Sequence, residues 1–162
     1  QDIEALSNSQ GSSSATLSQH LASGLSAFDF VLIDCPPSLG QLTQTALSHS
    51  TEVLMPIQCE YFAMEGLTQM IEVIRSVMQR PGNRLQFGGI LLTMHDHTLD
   101  LTREVDNEVR DFFGEIVFQT VIPRDVSVSE APSHGRSAID YAPRARGARA
   151  YVELSMEVLE RE

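Results

Sequence analysis

The sequence contains no lysine, and all eleven of its basic residues are arginines. A loop of the GxxxxGK[ST] type binds nucleotide phosphates with backbone N–H groups and one lysine, and no such loop occurs in these 162 residues. Catalysis through a lysine Schiff base or a lysine general base is excluded for the same reason.

Cysteine is also scarce. The two that occur, Cys35 and Cys59, do not form a CxxC pair, which argues against a disulfide framework or a zinc site, so we interpret both as small core residues. His95 and His97 have the spacing of a metal-binding pair, but no third ligand has suitable spacing. This favours loop histidines without a metal role.

Long apolar runs and a net positive charge are missing as well. No stretch approaches the roughly 18 apolar residues of a membrane helix and no signal peptide opens the chain, so we expect no membrane association and a cytoplasmic location. The formal net charge of −11 excludes a uniformly basic surface for nucleic acids. The C-terminal part is nevertheless locally basic, with Arg124, Arg136, Arg144, Arg146 and Arg149. Two interpretations stay open for this stretch, a solvated helix start and a contact with anions or the DNA backbone.

Apolar runs and amphipathic segments alternate regularly from residue 28 onward. The pattern predicts strands at residues 28–33, 52–57, 87–92 and 116–122, helices at 42–47, 63–78, 101–113 and 144–159, and a loop-rich stretch at 129–142. This alternation is typical of an α/β fold in which helices cover both faces of a parallel sheet. The Ser- and Gln-rich residues 1–27 are predicted to be a flexible or partly helical lead-in, which leaves 28–162 as the domain.

Polar residues follow three of the predicted strands, namely Asp34, Thr93–Asp96 and Pro123–Asp125. In parallel sheets ligands bind beyond the carboxyl ends of the strands, so these residues are expected to share one edge. A carboxylate such as Asp34 suits a nucleotide-bound Mg²⁺, which prefers oxygen ligands. An Asp in this position also caps helices or forms turns, so both interpretations of Asp34 remain.

A series of motifs resembles the ParA/Soj family of partition ATPases. The segment Phe28–Gly40 is similar to the family's Walker B and switch II region. The resemblance continues, in the same order and at the expected spacing, through Pro56–Leu67, Gly89–Met94, Val121–Arg124, Ser129–Gly135 and Arg144–Ala148.

The resemblance implies a P-loop NTPase-like fold of the deviant Walker type, with ATP and Mg²⁺ as ligands. It implies that Asp34 holds Mg²⁺ through water, that Gly40 lies in the loop that senses the γ-phosphate, and that Thr93, Met94, Pro123 and Arg124 line the adenine pocket. It further implies a homodimer in the ATP state, non-specific DNA binding at the nucleoid, and a ParB-like partner. Arg144 and Arg146, with Arg124, are the expected DNA-binding residues.

Several departures from the family pattern stand beside this resemblance. The family's first strand and lysine-bearing P-loop have no counterpart here, and Ser127 stands where the family commonly has an arginine. We therefore expect the C-terminal portion of a ParA-like ATPase that by itself binds ATP weakly and is inactive. The alternatives are an inactive truncated paralogue that acts as a binding module, and another ATPase of the MinD/ParA superfamily, such as a MinD-like or cobyrinate-synthase-like enzyme. An unrelated doubly wound hydrolase has no GxSxG motif to support it.

Overall fold

The computed structural model of the protein describes residues 28–36 and 40–161. Their helices and strands, in chain order, are α1 (Gln41–His49), β1 (Glu52–Gln58), α2 (Ala63–Met78), β2 (Gln86–Thr93), α3 (Asp100–Phe113), α4 (Val126–Glu130), α5 (Ala138–Tyr141) and α6 (Arg146–Arg161). Described residues up to Val53 and Met70–Gln86 form one compact unit, and Leu54–Gln69 with the residues from Phe87 onward form a second. The lead-in predicted for residues 1–27 lies outside the described residues.

Strands β1 and β2 pair in parallel, as their sequences predicted. The backbone N–H of Gln86 donates to the carbonyl of Thr51 at 2.7 Å, and the N–H of Cys59 donates to the carbonyl of Thr93 at 3.0 Å. The register therefore advances in the same direction along both strands. The buried run Ile90–Leu92 on β2 explains why that segment lacks the alternation of a half-exposed strand.

The prediction of a strand at residues 28–33 is wrong. Residues 28–36 have no regular secondary structure, and all five apolar side chains among residues 28–33 are exposed, with Leu32 at 94%. An apolar run indicates only that its side chains favour burial. Strand formation also requires a neighbouring strand to pair with its backbone N–H and C=O groups. In the described part of the chain no strand pairs with this segment.

The predicted strand at residues 116–122 is only partly formed. Its first residue, Ile116, ends a short 3₁₀ helix, Gly114–Ile116, and Val117 forms an isolated parallel bridge with Ile90 of β2. A second isolated parallel bridge joins Pro123 to His95, just beyond the ends of the predicted strand and of β2. The backbone N–H groups of Phe118 and Ile122 donate to carbonyls of β2, both at 2.9 Å. The residues between them leave the ladder, which interrupts the strand.

Helix α6 supplies the groups that the interrupted strand lacks. The N–H groups of Gln119 and Thr120 donate to the two carboxylate oxygens of Glu157, at 2.7 and 2.8 Å. Arg161 donates to the carbonyls of Ile116 and Val117 and lies 4.0 Å from the centre of the Phe118 ring. A carboxylate and a guanidinium on one helix thus replace the missing backbone partners.

The apolar side of α6 packs on the same region. Leu91, Phe118, Ile122 and Ala150 form a buried cluster, against which Leu154 and Val158 are partly buried. Gly89 permits the close approach, because a Cβ there would lie 2.5 Å from the Phe118 ring and its φ of 156° is one that glycine tolerates.

The remaining helices differ modestly from expectation. The stretch predicted to be loop-rich contains α5 and the 3₁₀ helix Ala131–His134, and α4 ends within it. Helix α6 begins at Arg146 rather than at Arg144, since Pro143 and Arg144 form a turn before it. Among the described helices, none combines the length and apolar character that crossing a membrane requires.

Candidate functional site

The ends of β1 and β2 are tied together at one edge of the second unit. Thr93 closes β2, and its hydroxyl Oγ1 donates to the carbonyl of Ile57 at 3.0 Å, while its own carbonyl accepts the N–H of Cys59. The hydroxyl and the carbonyl of Thr93 therefore both hold the two strand ends in register.

Met94 follows with a φ of 53°, the one positive φ that a residue other than glycine adopts in the described chain. This left-handed conformation costs a bulky side chain on the order of 1 kcal/mol, and such strain concentrates at ligand sites. It turns the chain so that the N–H of His95 donates to the carbonyl of Ile122 and the carbonyl of His95 accepts the N–H of Arg124, both at 3.0 Å. The structure thus brings Thr93 and Met94 beside Pro123 and Arg124, which are two of the three strand-end groups predicted to share one edge. The third group, Asp34, follows a segment that forms no strand.

The guanidinium of Arg124 is exposed at this edge. Its Nη2 lies 3.6 Å from Oε1 of Glu60, and both side chains are more than half exposed. An ion pair of this kind contributes little to stability, so Arg124 can be redirected to an anionic ligand at small cost. Glu60 was not among the predicted site residues, although its place just after β1 resembles that of the other strand-end residues.

His95 is held by the neighbouring helix. Its Nε2 lies 3.2 Å from Oδ2 of Asp106, whose Oδ1 accepts from Nε of Arg110 at 2.6 Å, and Arg110 donates onward to the carbonyl of Phe118. No three His, Cys, Asp or Glu side chains in residues 28–36 and 40–161 cluster closely enough to hold a metal ion. His95 thus connects the strand end to α3.

The two cysteines differ in their surroundings. Burial, together with a smaller contribution from the nearby charge of Asp106, raises the pKa of the Cys59 thiol to about 11, against the lowering effect of Arg110. Burial also raises the pKa of Cys35, with a smaller contribution from the charge of Asp34. Raised pKa values keep both thiols protonated at neutral pH. Cys59 is buried, as a core residue should be, whereas Cys35 is only half-buried in the irregular segment 28–36, so the core interpretation is wrong for Cys35.

Asp34 and Gly40 belong to the first compact unit. Asp34 lies exposed in the irregular segment 28–36, and Gly40 precedes α1, where its carbonyl accepts the N–H of Gln44 at 3.2 Å. An exposed carboxylate such as Asp34 would supply one oxygen ligand to a magnesium ion whose other ligands come from water and phosphate.

The carboxylate of Asp125 lies beside the start of α6, where the basic residues Arg144 and Arg146 are found. Arg144 and Arg146 are exposed, and the next residue, Gly147, donates its N–H to Oδ2 of Asp125 at 2.8 Å. Oδ1 of Asp125 accepts the N–H of Ser127 at 2.9 Å and caps α4. The hydrogen bond from Gly147 is the largest cause of a lowered pKa at Asp125; desolvation opposes it, and Ser127 and the charge of Arg146 lower it further. Sequence reasoning missed this residue as a connector.

Comparison with known proteins shows the family of this chain. A family model described as an AAA domain matches residues 2–87, just over half of the chain. Sporulation initiation inhibitor protein Soj of Bacillus subtilis (strain 168) is 49% identical over 131 residues, which are 81% of this chain and 52% of that protein. Chromosome-partitioning ATPase Soj of Treponema pallidum (strain Nichols) is 45% identical over 146 residues, 90% of this chain and 58% of that protein. The chain belongs to the ParA/Soj family.

A solved structure supports the same fold for this ParA/Soj chain. Cobyrinic acid a,c-diamide synthase from Mycobacterium smegmatis, with a bound ATP analogue and magnesium, matches with a TM-score of 0.73 and 33% identity, over 90% of this chain and 53% of that one. The predicted α/β fold of the P-loop NTPase type is thereby confirmed. Identity to the Soj proteins is higher than to the synthase, which favours ParA/Soj over a cobyrinate-synthase-like ATPase.

The ParA/Soj relatives are longer than the matched region. The chain spans about half the length of the curated relatives it matches, 52% and 58% for the two Soj proteins. The family match also extends over residues 2–27, the segment that the sequence pattern set apart from the domain.

Proposed function

We propose that this chain carries the adenine-binding edge and the DNA-binding arginines of a ParA-type partition ATPase. The observation that carries the proposal is the joining of Thr93 and Met94 to Pro123 and Arg124 at one strained, hydrogen-bonded edge. These four residues line the adenine pocket, and the exposed Arg124 offers a cation beside it. Adenine needs a shaped, largely preformed edge, and the two backbone hydrogen bonds of His95 hold this edge in place.

The phosphate end of the nucleotide uses other residues in this proposal. Asp34 holds a Mg²⁺ ion through water, and Gly40 lies in the loop that senses the γ-phosphate. Magnesium supplies charge neutralisation between the phosphates when it is bound. The lysine and the Gly-rich loop come from the parent protein, defined here as the product of the complete reading frame that contains these 162 residues.

DNA binding follows from the arginines before and within α6. Arg144 and Arg146, with Arg124, contact backbone phosphates without reading the bases, because guanidinium groups pair with phosphate oxygens of any sequence. Each monomer neutralises few phosphates, so useful affinity requires the ATP-bound homodimer, which doubles the contacts. The parent protein then acts in the cytoplasm at the nucleoid, with a ParB-like partner.

A second candidate is an inactive paralogue that keeps the fold and binds DNA or protein. The observation that favours it is the complete absence of lysine from the sequence. The reading frame upstream of Gln1 separates the two candidates. An in-frame GxxxxGK[ST] motif supports the ATPase, and a stop codon without such a motif supports the binding module.

Arg146→Ala in the ATP-loaded parent protein tests the DNA-binding surface. At 0.1 M salt, one phosphate contact contributes about eightfold to affinity relative to 1 M salt, so the affinity decreases by a factor of that size per protomer. The negative slope of log K against log salt becomes shallower by about 0.9 for each phosphate that is no longer bound, and by the same amount on two unrelated duplexes. Arg103→Ala is the matched control, because Arg103 is an exposed arginine of α3 that pairs with Asp100. An unchanged slope in Arg146→Ala contradicts the proposed surface.

A further inference from the structure

Asp125 connects the proposed adenine-binding edge to the arginine-bearing helix. It directly follows Arg124, whose N–H is bonded to His95 on the neighbouring strand end. Its two carboxylate oxygens accept from two different helices, Ser127 of α4 and Gly147 of α6. The second bond joins residues 22 positions apart in the chain and fixes the first turn of α6.

Gly147 has no room for a side chain at this junction. A Cβ on that residue would lie 2.4 Å from Cγ2 of Val128 and 3.1 Å from Cβ of Asp125, and the first distance is shorter than real Cβ atoms allow. The close approach of α6 to Asp125 therefore depends on glycine at this position. Arg146 adjoins it directly, so the same junction determines where the backbone of Arg146 lies.

We propose that Asp125 is a positioning residue for DNA binding, which holds the first turn of α6 so that Arg146 can reach a phosphate. The proposal rests on the proposed function of Arg146. For the loss of the Asp125 charge, this role predicts a lower DNA affinity, whereas simple electrostatics predicts a higher one. Removing a negative charge beside an arginine raises the attraction for DNA, whereas releasing the turn that carries the arginine lowers affinity because the side chain must be ordered on binding.

Asp125→Asn in the ATP-loaded parent protein separates these effects. The amide keeps the size of the side chain but offers one acceptor for two N–H donors, so one helix is released. We expect DNA affinity to fall about threefold to eightfold at 0.1 M salt, up to the contribution of one phosphate contact per protomer. Asp140→Asn is the matched control, because it makes the same charge change on α5, where the hydrogen bonds of Asp140 with other described residues stay within its own turn. We expect the DNA affinity of this variant to stay equal or to rise.

Two further variants make the test specific. Gly147→Ala alters no charge but forces the first turn of α6 away from Asp125, so we expect it to weaken DNA binding as well. This variant replaces Asp125→Asn in the test if Asp125→Asn does not fold. In the double variant with Arg146→Ala, the change at Asp125 has no additional effect, because both act through the same phosphate. A purely structural role would instead give additive decreases in affinity.

The outcomes distinguish the positioning role from the DNA surface itself. If Arg146→Ala weakens binding while Asp125→Asn and Gly147→Ala bind as tightly as the unaltered protein, the positioning role is wrong and the proposed function stands. Additive decreases in the double variant also overturn the positioning role. If Arg146→Ala has no effect, the DNA surface is wrong, and the role of Asp125 in DNA binding falls with it.

Discussion

Replacing Glu157 by alanine should release the interrupted strand that follows α3. Its carboxylate accepts the N–H groups of Gln119 and Thr120 at 2.7 and 2.8 Å and also pairs with Arg161 at 2.8 Å. A hydrogen bond to a charged group contributes roughly 1.5–3 kcal/mol in proteins. Because Gln119 is exposed and can bond water instead, its hydrogen bond contributes less than this range, whereas that of the half-buried Thr120 contributes at the lower end. We expect local opening to become easier by about 2–3 kcal/mol.

Amide hydrogen exchange followed by NMR measures this opening directly. A change of about 2–3 kcal/mol corresponds to exchange about 30- to 150-fold faster at Gln119 and Thr120. Glu153→Ala is the matched control, since Glu153 lies one turn earlier on the same helix, is exposed, and loses the same charge on substitution. Exchange at the two amides that stays within about threefold of the unaltered protein would refute the idea that Glu157 completes the strand.

The contribution of Glu157 should also depend on pH in a defined direction. Burial opposes its ionisation, but hydrogen bonds from Thr120, Gln119 and Arg161 outweigh it, so the pKa of Glu157 is lowered from its ordinary value of 4.5. A lowered folded-state pKa stabilises the fold fully above the unfolded value, and this stability is lost as pH falls through the folded value. The difference in urea midpoint between the unaltered protein and Glu157→Gln should therefore be constant at neutral pH and shrink below about pH 4.5.

Two further predictions concern the nucleotide. Asp34→Asn in the parent protein should lower ATP turnover by orders of magnitude and leave the melting temperature nearly unchanged, because Asp34 is exposed in a segment without regular secondary structure; preserved activity with reduced stability would favour a structural role instead. The 162-residue chain without upstream sequence should bind ATP and Mg²⁺ only weakly, since it has no lysine and no Gly-rich loop, and a dissociation constant in the low micromolar range by isothermal titration calorimetry would contradict this.

Local patterns predicted those elements whose bounds depend on local chemistry. Helix α2 was predicted with the bounds that the structure has, Ala63–Met78, because its apolar stripe has helical spacing and Pro81 follows shortly after it. The core strand β2 was predicted to within one residue at each end for a similar reason. In both, residues close in sequence decide where the element begins and ends.

The elements that were mispredicted depend on distant residues. Whether residues 28–33 pair as a strand is decided by a neighbouring strand, which a single apolar run cannot reveal. The interruption at Gln119 and Thr120 depends on Glu157, 38 and 37 positions later in the chain. Half of the role of Asp125 was visible locally, since an Asp before a short helix is typical of an N-cap. The other half, its bond to Gly147, was not.

Hydrogen bonds near both ends of helix α6 attach it to the rest of the second unit. At its first turn the N–H of Gly147 bonds to Asp125, and in its last two turns Glu157 and Arg161 bond to the backbone of residues 116–120. Apolar packing alone leaves a helix free to slide or rotate by small amounts, because hydrophobic contact is not directional. Hydrogen bonds to fixed backbone groups do not permit this. The anchors therefore determine the position of the arginines at the start of α6 more closely than burial could, and this helix has few buried large side chains to replace them.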